Sequence, residues 1–529
     1  MRFLLINPYY PISETPSPPL GLAFLAGALE RAGVEVRVLD FVVFPYRKET
    51  LRSVLMNFQP HFAGITSVTM TFDHAVSVLR DVKGMAPDVL TVMGGPHVTF
   101  CAKETMDALA ELDFVILGEG DEAVVELAKE ADKGRDWSRI GGLVYRHGPV
   151  VESTGMRAPG IEADSLPTPA RHLLPLGRYR ALHMPISMTT SRGCPFTCIF
   201  CVGRKMVGPK VRYRAPERVV DELEYLSSLN FHQINIADDL FTANKKHCLA
   251  VCEEIIRRRL QVTWTSFARV DTVSLEVLSR MKEAGCCAVS FGVESANADI
   301  LKTIKKGITM EQVVAAVGMC MEVGITPQAS FILGLPGETP ETLKETTAFG
   351  EMLKKMGALH GFHLLAPFPG TEIREKSDGL GIKILTSDWR EYHANRAIVE
   401  TPFVDRNMLD DIVIAWEEKF DQWLGDIKRR LGTGEATEEE TAVLTNLEHT
   451  VLIYDLMMDE VIEEKGFWGH TGKPVSQGRA FKGLVDRVAD STDYTRKQVD
   501  ETLGLAVEKG NLTWREDKGI IRWEWVDYL

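Results

Sequence analysis

The sequence predicts an α/β protein: an N-terminal doubly wound parallel sheet, then a partial (βα)6 barrel of the TIM type and a helical C-terminal domain. Three observations lead to this prediction. Short apolar strands alternate with helices in two separate runs, at residues 1–150 and 186–385. A proline-rich linker at 151–185 separates the runs, and residues 386–529 are mostly helical and acidic. The length of 529 residues is consistent with about three domains.

The first run contains five apolar segments that are short enough to be buried strands. These lie at 2–7, 34–40, 63–67, 89–93 and 114–117, with helices at 20–32, 73–83 and from about residue 121. Helices between consecutive strands require parallel pairing, so a ligand site is expected at the carboxyl ends of the strands, where the strand order reverses.

The second run has six βα units in about 190 residues, which is typical of a partial barrel. Its predicted strands are 186–190, 233–237, 262–266, 288–293, 326–332 and 361–365, and its predicted helices are 216–228, 246–259, 275–283, 310–323 and 340–356. Barrels of this type carry their chemistry at the carboxyl ends of the strands.

The C-terminal region is predicted to cap the barrel. Helices are expected at 409–430, 437–464 and 494–508, and a hairpin at 512–516 and 519–525. Thr437 followed by Glu440 forms a capping box at the start of the second helix. A helix followed by such a hairpin is similar to the end of a winged-helix domain.

The composition excludes some partners. The chain has 60 Lys+Arg against 74 Asp+Glu, a net charge of −14, which argues against nucleic acid or an anionic membrane as the main partner. There is no run of 18 apolar residues and no recognisable secretory signal, so we expect no membrane span and a cytoplasmic location. A basic cluster at 210–214 is expected to be a solvated loop.

Three of the nine cysteines lie together, at Cys194, Cys198 and Cys201, directly after a predicted strand. Closely spaced thiolates bind iron well, and a [4Fe–4S] cluster with three protein ligands keeps one iron open for a substrate or cofactor. The alternatives are a structural zinc site or three packed thiols, but a zinc site needs a fourth ligand that this loop lacks. The other six cysteines are scattered, which favours core packing over disulfides.

The CxxxCxxC motif, with the aromatic Phe200 before its third cysteine, resembles the signature of the radical S-adenosylmethionine (SAM) superfamily. Further segments resemble that family in the same order, around Asp238, Arg269, Glu294 and Gly334. The resemblance implies a [4Fe–4S] cluster on the three cysteines and a SAM site. The implied SAM-binding residues are Phe200, Asp238, Asp239, Arg269, Glu294, Ser295 and Gly334; the two aspartates would hold the amino group of SAM.

Residues 1–150 resemble the cobalamin-binding domain that precedes the barrel in one large class of these enzymes. The matching motifs are Asn7-Pro8, Pro19-Leu20-Gly21-Leu22, Thr66-Ser67-Val68-Thr69, Gly94-Gly95-Pro96-His97 and Gly118-Glu119-Gly120-Asp121-Glu122. The resemblance implies cobalamin contacts from Asn7, Ser67, Val68, Thr69, Gly94, Gly95, His97, Gly118, Glu119 and Gly120.

One motif of other cobalamin domains is absent, the Asp-x-His-x-x-Gly that supplies a histidine to cobalt. The lower face of cobalt would then meet water or the loop at 68–70. His97 is expected to contact a turn or the nucleotide tail. A degenerate domain without cobalamin is the alternative.

Three functional hypotheses follow from the resemblance. In the first, the protein cleaves SAM reductively and methylates an unactivated carbon of a small molecule through methylcobalamin. In the second, the same cofactors support ring closure or oxidation without methyl transfer, as in the anaerobic cyclase of bacteriochlorophyll synthesis. In the third, the protein binds cobalamin without catalysis. For the enzyme, the family implies a flavodoxin or ferredoxin as electron donor; no catalytic side chain is assigned.

Overall fold

The computed structural model describes residues 1–9, 16–158, 162–471 and 475–529. Within these residues the chain forms a mainly parallel N-terminal sheet and a parallel barrel sheet, joined by a short linker and followed by a C-terminal helical region. The doubly wound sheet, the partial barrel and the helical C-terminal region predicted from the sequence are all confirmed.

The N-terminal sheet has the order β2-β1-β3-β4-β5-β6-β7 in the described part of the chain, and the first five strands pair in parallel. Its strands are β1 (Arg2–Asn7), β2 (Glu35–Asp40), β3 (Phe62–Thr66), β4 (Leu90–Gly94), β5 (Phe114–Ile116), β6 (Leu143–His147) and β7 (Val150–Ser153). Its helices are α1 (Leu20–Arg31), α2 (Lys48–Phe58), α3 (Phe72–Met85), α4 (Pro96–Phe100), α5 (Ala102–Ala108) and α6 (Asp121–Ala131). The strand order reverses between β1 and β3, which makes this the expected ligand edge.

The antiparallel strands β6 and β7 were not expected from the sequence. They extend the sheet beyond β5, and β7 lies across the domain boundary expected at residue 150. The linker was expected to be irregular, yet it contains the short helix α7 (Leu176–Ala181).

The barrel sheet has the order β15-β14-β13-β12-β11-β8, so its six strands follow the chain order around an open barrel. The strands are β8 (Ile186–Met188), β11 (Ile234–Ile236), β12 (Trp264–Ala268), β13 (Cys286–Glu294), β14 (Thr326–Leu333) and β15 (Leu359–Leu364). A two-stranded ribbon of β9 (Ser191–Arg192) and β10 (Arg212–Tyr213) projects from the end of β8. The helices are α8 (Gly203–Val207), α9 (Pro216–Ser228), α10 (Lys245–Arg258), α11 (Leu275–Glu283), α12 (Ala298–Thr303), α13 (Met310–Val323), α14 (Pro340–Lys355) and α15 (Glu372–Glu375).

The remaining elements form the C-terminal region. After a short pair of β16 (Lys383–Ile384) and β17 (Val399–Glu400), the chain forms α16 (Arg406–Thr433), α17 (Glu438–Met458), α18 (Val461–Lys465), β18 (Phe467–Gly469), α19 (Gln477–Ala489), α20 (Arg496–Glu508), β19 (Leu512–Asp517) and β20 (Ile520–Trp525). From α18 onward, the helices followed by a three-stranded sheet of order β18-β20-β19 have the arrangement of a winged helix.

The single helix expected at 437–464 is wrong, because the structure has two helices there, α17 and α18. The structure breaks it after Met458, because Glu460 takes a left-handed conformation with φ of 52° before α18 begins. The predicted capping box is present: the Thr437 hydroxyl accepts a hydrogen bond from the Glu440 backbone N–H, and the Glu440 carboxylate accepts one from the Thr437 N–H.

The linker helix α7 joins all three parts of the molecule. The buried Tyr179 hydroxyl donates to Asp40 Oδ2 of the N-terminal sheet at 2.7 Å. Arg178, almost fully buried, donates to Asp527 and Glu463 of the C-terminal region at 2.7 Å each. Burial is the main cause that raises the pKa of Asp40 to about 6. Hydrogen bonds to paired charges are the stronger kind, so this junction is expected to hold the C-terminal region in place.

Among the described residues, no helix is both long and apolar enough to cross a membrane.

We predict that Gly177→Ala detaches the C-terminal tail from α7. A Cβ at position 177 would lie 1.6 Å from the carbonyl oxygen of Val526, and the Gly177 N–H donates to the Asp527 carbonyl at 2.9 Å. This backbone contact cannot be relieved by rotating a side chain, so we expect a loss of stability of about 2 kcal/mol or more. Thermal unfolding and limited proteolysis of the tail measure the effect.

Gly478→Ala is the matched control, because a Cβ at Gly478 of α19 meets no atom within 4 Å. An equal melting temperature for Gly177→Ala and the wild-type protein would contradict the close packing of the tail.

Candidate functional site

The three cysteines of the motif lie on one loop between the strands of the β9–β10 ribbon. Cys194 and Cys198 are half-buried and Cys201 is exposed. The Cys201 N–H donates to the carbonyl of Cys198 at 3.3 Å, and the Gly203 N–H lies 3.3 Å from the Cys201 sulfur, to which it donates. Burial raises the pKa of all three thiols.

The donor set of this loop suits an iron–sulfur cluster. Three soft thiol ligands are available, and backbone N–H groups aimed at sulfur stabilise a thiolate. In the described ranges no group of three or more His, Cys, Asp or Glu side chains is already arranged as a metal site.

Asp238 follows β11 and was expected to bind the amino group of SAM. In the structure its carboxylate accepts hydrogen bonds from the protein itself. Its Oδ1 accepts from the backbone N–H groups of Thr190 and Ser191 at 2.6 and 3.1 Å. Its Oδ2 accepts from the two hydroxyls at 2.6 Å each. A carboxylate has about four acceptor positions, and all of them are used here. Asp238 thus fixes the end of β8 and has no free acceptor for a ligand.

The neighbouring Asp239 remains available. Its Oδ2 accepts one hydrogen bond, from the Gly193 N–H at 3.2 Å. Its other oxygen lies beside Gly203, 3.0 Å from the position a Cβ would take there, and the residue lines the cavity described below. Asp239 can therefore accept hydrogen bonds from an ammonium group beside the cysteine loop.

Arg269, directly after β12, contacts the cysteine loop. Its guanidinium stacks on the ring of Phe196 at 3.7 Å and forms a two-point ion pair with Asp271 at 2.9 Å. It also donates to the carbonyl of Lys306 at 2.7 Å. The remaining Nη1 is buried and has no hydrogen-bond partner among the described residues. An unpaired buried donor is costly, so this nitrogen is suited to a carboxylate ligand.

Glu294 ends β13 in a left-handed conformation with φ of 69° and pairs with Lys306. The Lys306 Nζ donates to Glu294 Oε1 at 2.6 Å, and both side chains are only 8% exposed. Gly292 makes room for the pair, since a Cβ there would lie 2.3 Å from Glu294 Oε1. Lys306 Nζ also lies 6.0 Å from the ring centre of Phe200. Lys306 was missed in the sequence, because a lysine that follows a short helix shows no pattern that predicts burial.

Ser295 and Gly334 are placed differently from the expectation. The buried Ser295 hydroxyl lies 3.3 Å from the hydroxyl of Thr346 on α14, so it faces a helix and not the cysteine loop. The Gly334 N–H donates to Glu338 Oε2 at 2.5 Å, and Gly334 packs against Val399 of the C-terminal region. Burial raises the pKa of Glu338 to about 7.

A cavity of about 370 Å³ lies between the N-terminal sheet and the barrel. Its N-terminal walls include the expected cobalamin residues Gly94, Gly95, Gly118, Glu119 and Gly120, and its barrel wall includes Thr189, Ser191, Met206, Ala237 and Asp239. It extends between β1, β3 and helix α1, where Gly64 provides space: a Cβ there would lie 2.9 Å from the ring of Phe3. An apolar slot that opens towards Asp239 suits a bulky cofactor with a flat tail.

The other expected cobalamin residues lie outside the lining of this cavity. Asn7 donates to Asp40 Oδ1 at 2.8 Å, and Ser67 is buried and receives the His97 N–H at 3.3 Å. Thr69 contacts the His97 ring at 3.3 Å. Val68 is 42% exposed beside them.

His97 is enclosed by aromatic rings. The ring centres of Phe72 and Trp389 lie 4.2 and 4.8 Å away, and the imidazole is 1% exposed. Burial, and next the charge of Arg374, lower the pKa of His97 to about 4, so the ring is neutral near pH 7. Trp389 comes from the segment after the barrel, which therefore covers the loop at 68–71.

The basic cluster at 210–214 was expected to be a solvated loop, and for its two arginines the structure contradicts this. Arg212 is buried and donates to both oxygens of Glu119 at 2.9 and 2.8 Å, and Arg214 donates to Glu222 at 2.6 Å. Only Lys210 fits the solvated loop that was expected. The charge pattern gave no sign of the burial of Arg212, because its partner Glu119 lies 93 residues away in the sequence.

Comparison with known proteins gives matches over both domains. The family model of the radical SAM superfamily matches residues 188–350, and that of the B12-binding domain matches residues 13–128. An uncharacterised methyltransferase of Pyrococcus horikoshii is 36% identical over 399 residues, covering 74% of this chain and 86% of the relative. The anaerobic magnesium-protoporphyrin IX monomethyl ester cyclase of Rubrivivax gelatinosus is 30% identical over 440 residues, covering 79% and 77%.

Solved structures share the fold. OxsB, a cobalamin-dependent S-adenosylmethionine radical enzyme with aqua-cobalamin and S-adenosylmethionine bound, has a TM-score of 0.68 and 17% identity over 98% of this chain and 82% of its own. The radical S-adenosylmethionine methyltransferase TsrM from Kitasatospora setae has a TM-score of 0.62 and 23% identity over 73% of this chain and 81% of its own.

We predict that Asp238→Asn destabilises the protein while Asp239→Asn does not. An asparagine at 238 removes the negative charge from all four hydrogen bonds, and its NH2 group fits only if the two hydroxyls turn to accept from it. The expected loss is about 3 kcal/mol. Denaturant unfolding of the full-length cofactor-free protein measures it, with Asp239→Asn as the control that removes the same charge one residue later. Equal stability of the two variants would show that Asp238 does not hold the end of β8.

Proposed function

Because the chain belongs to the family of radical SAM enzymes that carry a B12-binding domain, we propose that it methylates an unactivated carbon of a small molecule. Members of this family use a [4Fe–4S] cluster, SAM and cobalamin, and together these groups supply reductive cleavage of SAM and methyl transfer through cobalt. The observation that carries the proposal is the cavity between the two domains, which opens from the glycine-lined N-terminal edge directly to Asp239 beside the cysteine loop.

We assign the protein's own residues as follows. Cys194, Cys198 and Cys201 hold the cluster. Asp239 accepts from the amino group of SAM, and the free Nη1 of Arg269 donates to its carboxylate. These assignments are supported by the open oxygen and the unpaired nitrogen on either side of the cysteine loop.

The Glu294–Lys306 pair lies beside the cysteine loop, near Cys198 and Phe200. Lys306 lies close enough to Cys198 for its charge to lower the pKa of that thiol against the larger effect of burial. A cation held in this position favours the negatively charged thiolates that a cluster requires.

Cobalamin is proposed to occupy the inter-domain cavity through Gly94, Gly95, Gly118, Glu119 and Gly120. Four other residues were first expected to contact cobalamin but do not line the cavity: Asn7, Ser67, Thr69 and His97. Their proposed role is indirect, because they shape the turns around the cavity. The exposed Val68 would remain available for contact with the cofactor from the loop at 68–70.

The substrate is proposed to reach the face of the barrel sheet that does not pack against the helices. Half-buried polar side chains follow one another across this face: Thr265 donates to Asn235 and Ser290 to Gln328, each at 2.7 Å. These groups are uncharged, so they fit a neutral small molecule with hydrogen-bonding groups.

The electron donor is proposed to be a flavodoxin or ferredoxin in the cytoplasm. Cys201 is the exposed cysteine of the loop, and exposed lysines such as Lys205 and Lys210 lie near it on a chain of net charge −14.

We predict that Asp239→Asn weakens SAM binding about tenfold, because the variant replaces a charge-assisted hydrogen bond to an ammonium group by a neutral one. Equilibrium binding to the anaerobically reconstituted protein measures the effect. A SAM affinity equal to that of the wild-type protein would remove Asp239 from the proposed site.

The reaction itself is tested by reconstitution with iron, sulfide and hydroxocobalamin under anaerobic conditions. Methyl transfer predicts both deoxyadenosine and S-adenosylhomocysteine, together with a methylated product. Cys198→Ala should abolish deoxyadenosine formation, whereas Cys287→Ser, which changes a half-buried thiol outside the loop, should not.

Cyclisation or oxidation is the second candidate function, because the cyclase relatives cover most of this chain at 30% identity. It predicts one deoxyadenosine for each unmethylated product and no S-adenosylhomocysteine. That pattern would contradict methyl transfer. An absence of SAM cleavage by the reduced, fully reconstituted protein would contradict both.

A further inference from the structure

Two arginines lie directly opposite each other in the ribbon that carries the cysteine loop. β9 and β10 pair in antiparallel fashion with Arg192 opposite Arg212. The side chains are 15% and 5% exposed. Like charges opposite each other destabilise a strand pair, and burial increases the cost because water cannot screen them. The ribbon therefore needs negative charge from elsewhere in the molecule to stay closed.

Two carboxylates of the N-terminal domain provide that charge. Glu119 accepts from Arg192 Nη1 at 3.1 Å and from Arg212 Nη2 at 2.8 Å, so it bridges both strands. Asp121 accepts from Arg192 at 2.7 Å. Burial opposes the charge of Arg192, but the effect of Asp121 and Glu119 is greater and raises its pKa. The four side chains form a neutral group at the contact between the two domains.

The ribbon is also the neck of the cysteine loop: the loop begins at the end of β9 and returns at the start of β10. The Cys194 N–H donates to the Gly208 carbonyl at 3.2 Å, which joins the start of the loop to its end. Gly193 has φ of 120°, and a Cβ there would lie 2.5 Å from the carbonyl oxygen of Lys210. Any opening of the ribbon would therefore move Cys194 relative to the rest of the loop.

The same carboxylates belong to the wall of the inter-domain cavity. All four residues of the segment 118–121 line the cavity, and Arg192 lines it from the barrel side. A ligand in the cavity that orders this segment would also hold Glu119 and Asp121 against the ribbon.

We propose that Glu119 and Asp121 are positioning residues that close the neck of the cysteine loop, so that occupancy of the N-terminal cavity by cobalamin strengthens SAM binding in the barrel. This inference rests on the proposed function, which assigns cobalamin to that cavity. Because coupling between two binding sites is reciprocal, SAM must strengthen cobalamin binding by the same factor.

Hydrogen exchange of the full-length cofactor-free protein tests the clamp itself. Glu119→Gln leaves the two arginines without their shared charge, so amides in peptides covering 190–214 should exchange at least about tenfold faster, the factor for one lost charge-assisted bond. The double variant Glu119→Gln/Arg212→Gln removes the repulsion as well and should restore much of the protection. Arg212→Gln alone should lie near the wild-type protein.

The matched control is Glu126→Gln. Glu126 lies on α6, the helix that begins at Asp121, but it pairs with Arg157 and does not contact the ribbon. Exchange at 190–214 should be unchanged in this variant. Unchanged exchange in Glu119→Gln would overturn the proposal, as would a double variant that exchanges as fast as Glu119→Gln, because Glu119 would then act by some means other than neutralising the arginines.

Equilibrium SAM binding to the reconstituted protein tests the coupling. In the wild-type protein, saturating hydroxocobalamin should tighten SAM binding about fivefold or more, the lower range of known coupling energies. Glu119→Gln should lose this increase even at a hydroxocobalamin concentration that saturates the variant, which separates the coupling from any direct contact of Glu119 with cobalamin. Equal SAM affinity with and without hydroxocobalamin in the wild-type protein would overturn the coupling. These readouts do not depend on product formation, so a failure of methyl transfer would leave the exchange result interpretable.

Discussion

The buried carboxylate of Asp238 is the constraint on which the geometry of the site depends. A carboxylate removed from water needs a full set of donors, and Thr190 and Ser191 supply four. These donors lie between the first barrel strand and the cysteine loop, so the need to satisfy one buried charge determines where the loop leaves the barrel. The neighbouring Asp239 is thereby held at the mouth of the inter-domain cavity with an oxygen left open.

The domain contact follows from the same principle applied to arginine. Arg192 follows Ser191 immediately, and its burial is compensated by Glu119 and Asp121 of the N-terminal domain. On the other side of the molecule, Arg178 of the linker is compensated by Asp527 and Glu463. Each part of the chain thus supplies charges that compensate charges buried in another part, and these ion pairs hold the parts together.

The sequence predicted the parallel strands of both sheets, many of the helices between them and the positions of the cysteine and glycine motifs, because these depend on local periodicity and on residues close together in the chain. It missed the helix α2 and the antiparallel strands β6 and β7. It did not predict which side chains form hydrogen bonds and ion pairs with each other. Asp238 and Asp239 are adjacent and identical in type, yet one is structural and the other open to the cavity. The buried roles of Lys306 and Arg212 also depend on partners that are 12 and 93 residues away. Such pairings become visible only when the fold brings distant segments together.

Two cations lie beside the cysteine loop of a chain whose net charge is negative, and their fixed positions have a physical role. The net charge of −14 is distributed over the surface, whereas Arg269 and Lys306 lie beside the cysteines. Both are anchored by acidic partners, Asp271 and Glu294, so their charge is held in a fixed direction at low cost. Arg269 retains one buried donor that has no partner within the described part of the chain. A site that holds cations in place but leaves one donor unsatisfied is preorganised for an anionic group, such as the carboxylate of an amino acid beside a cluster of thiolates.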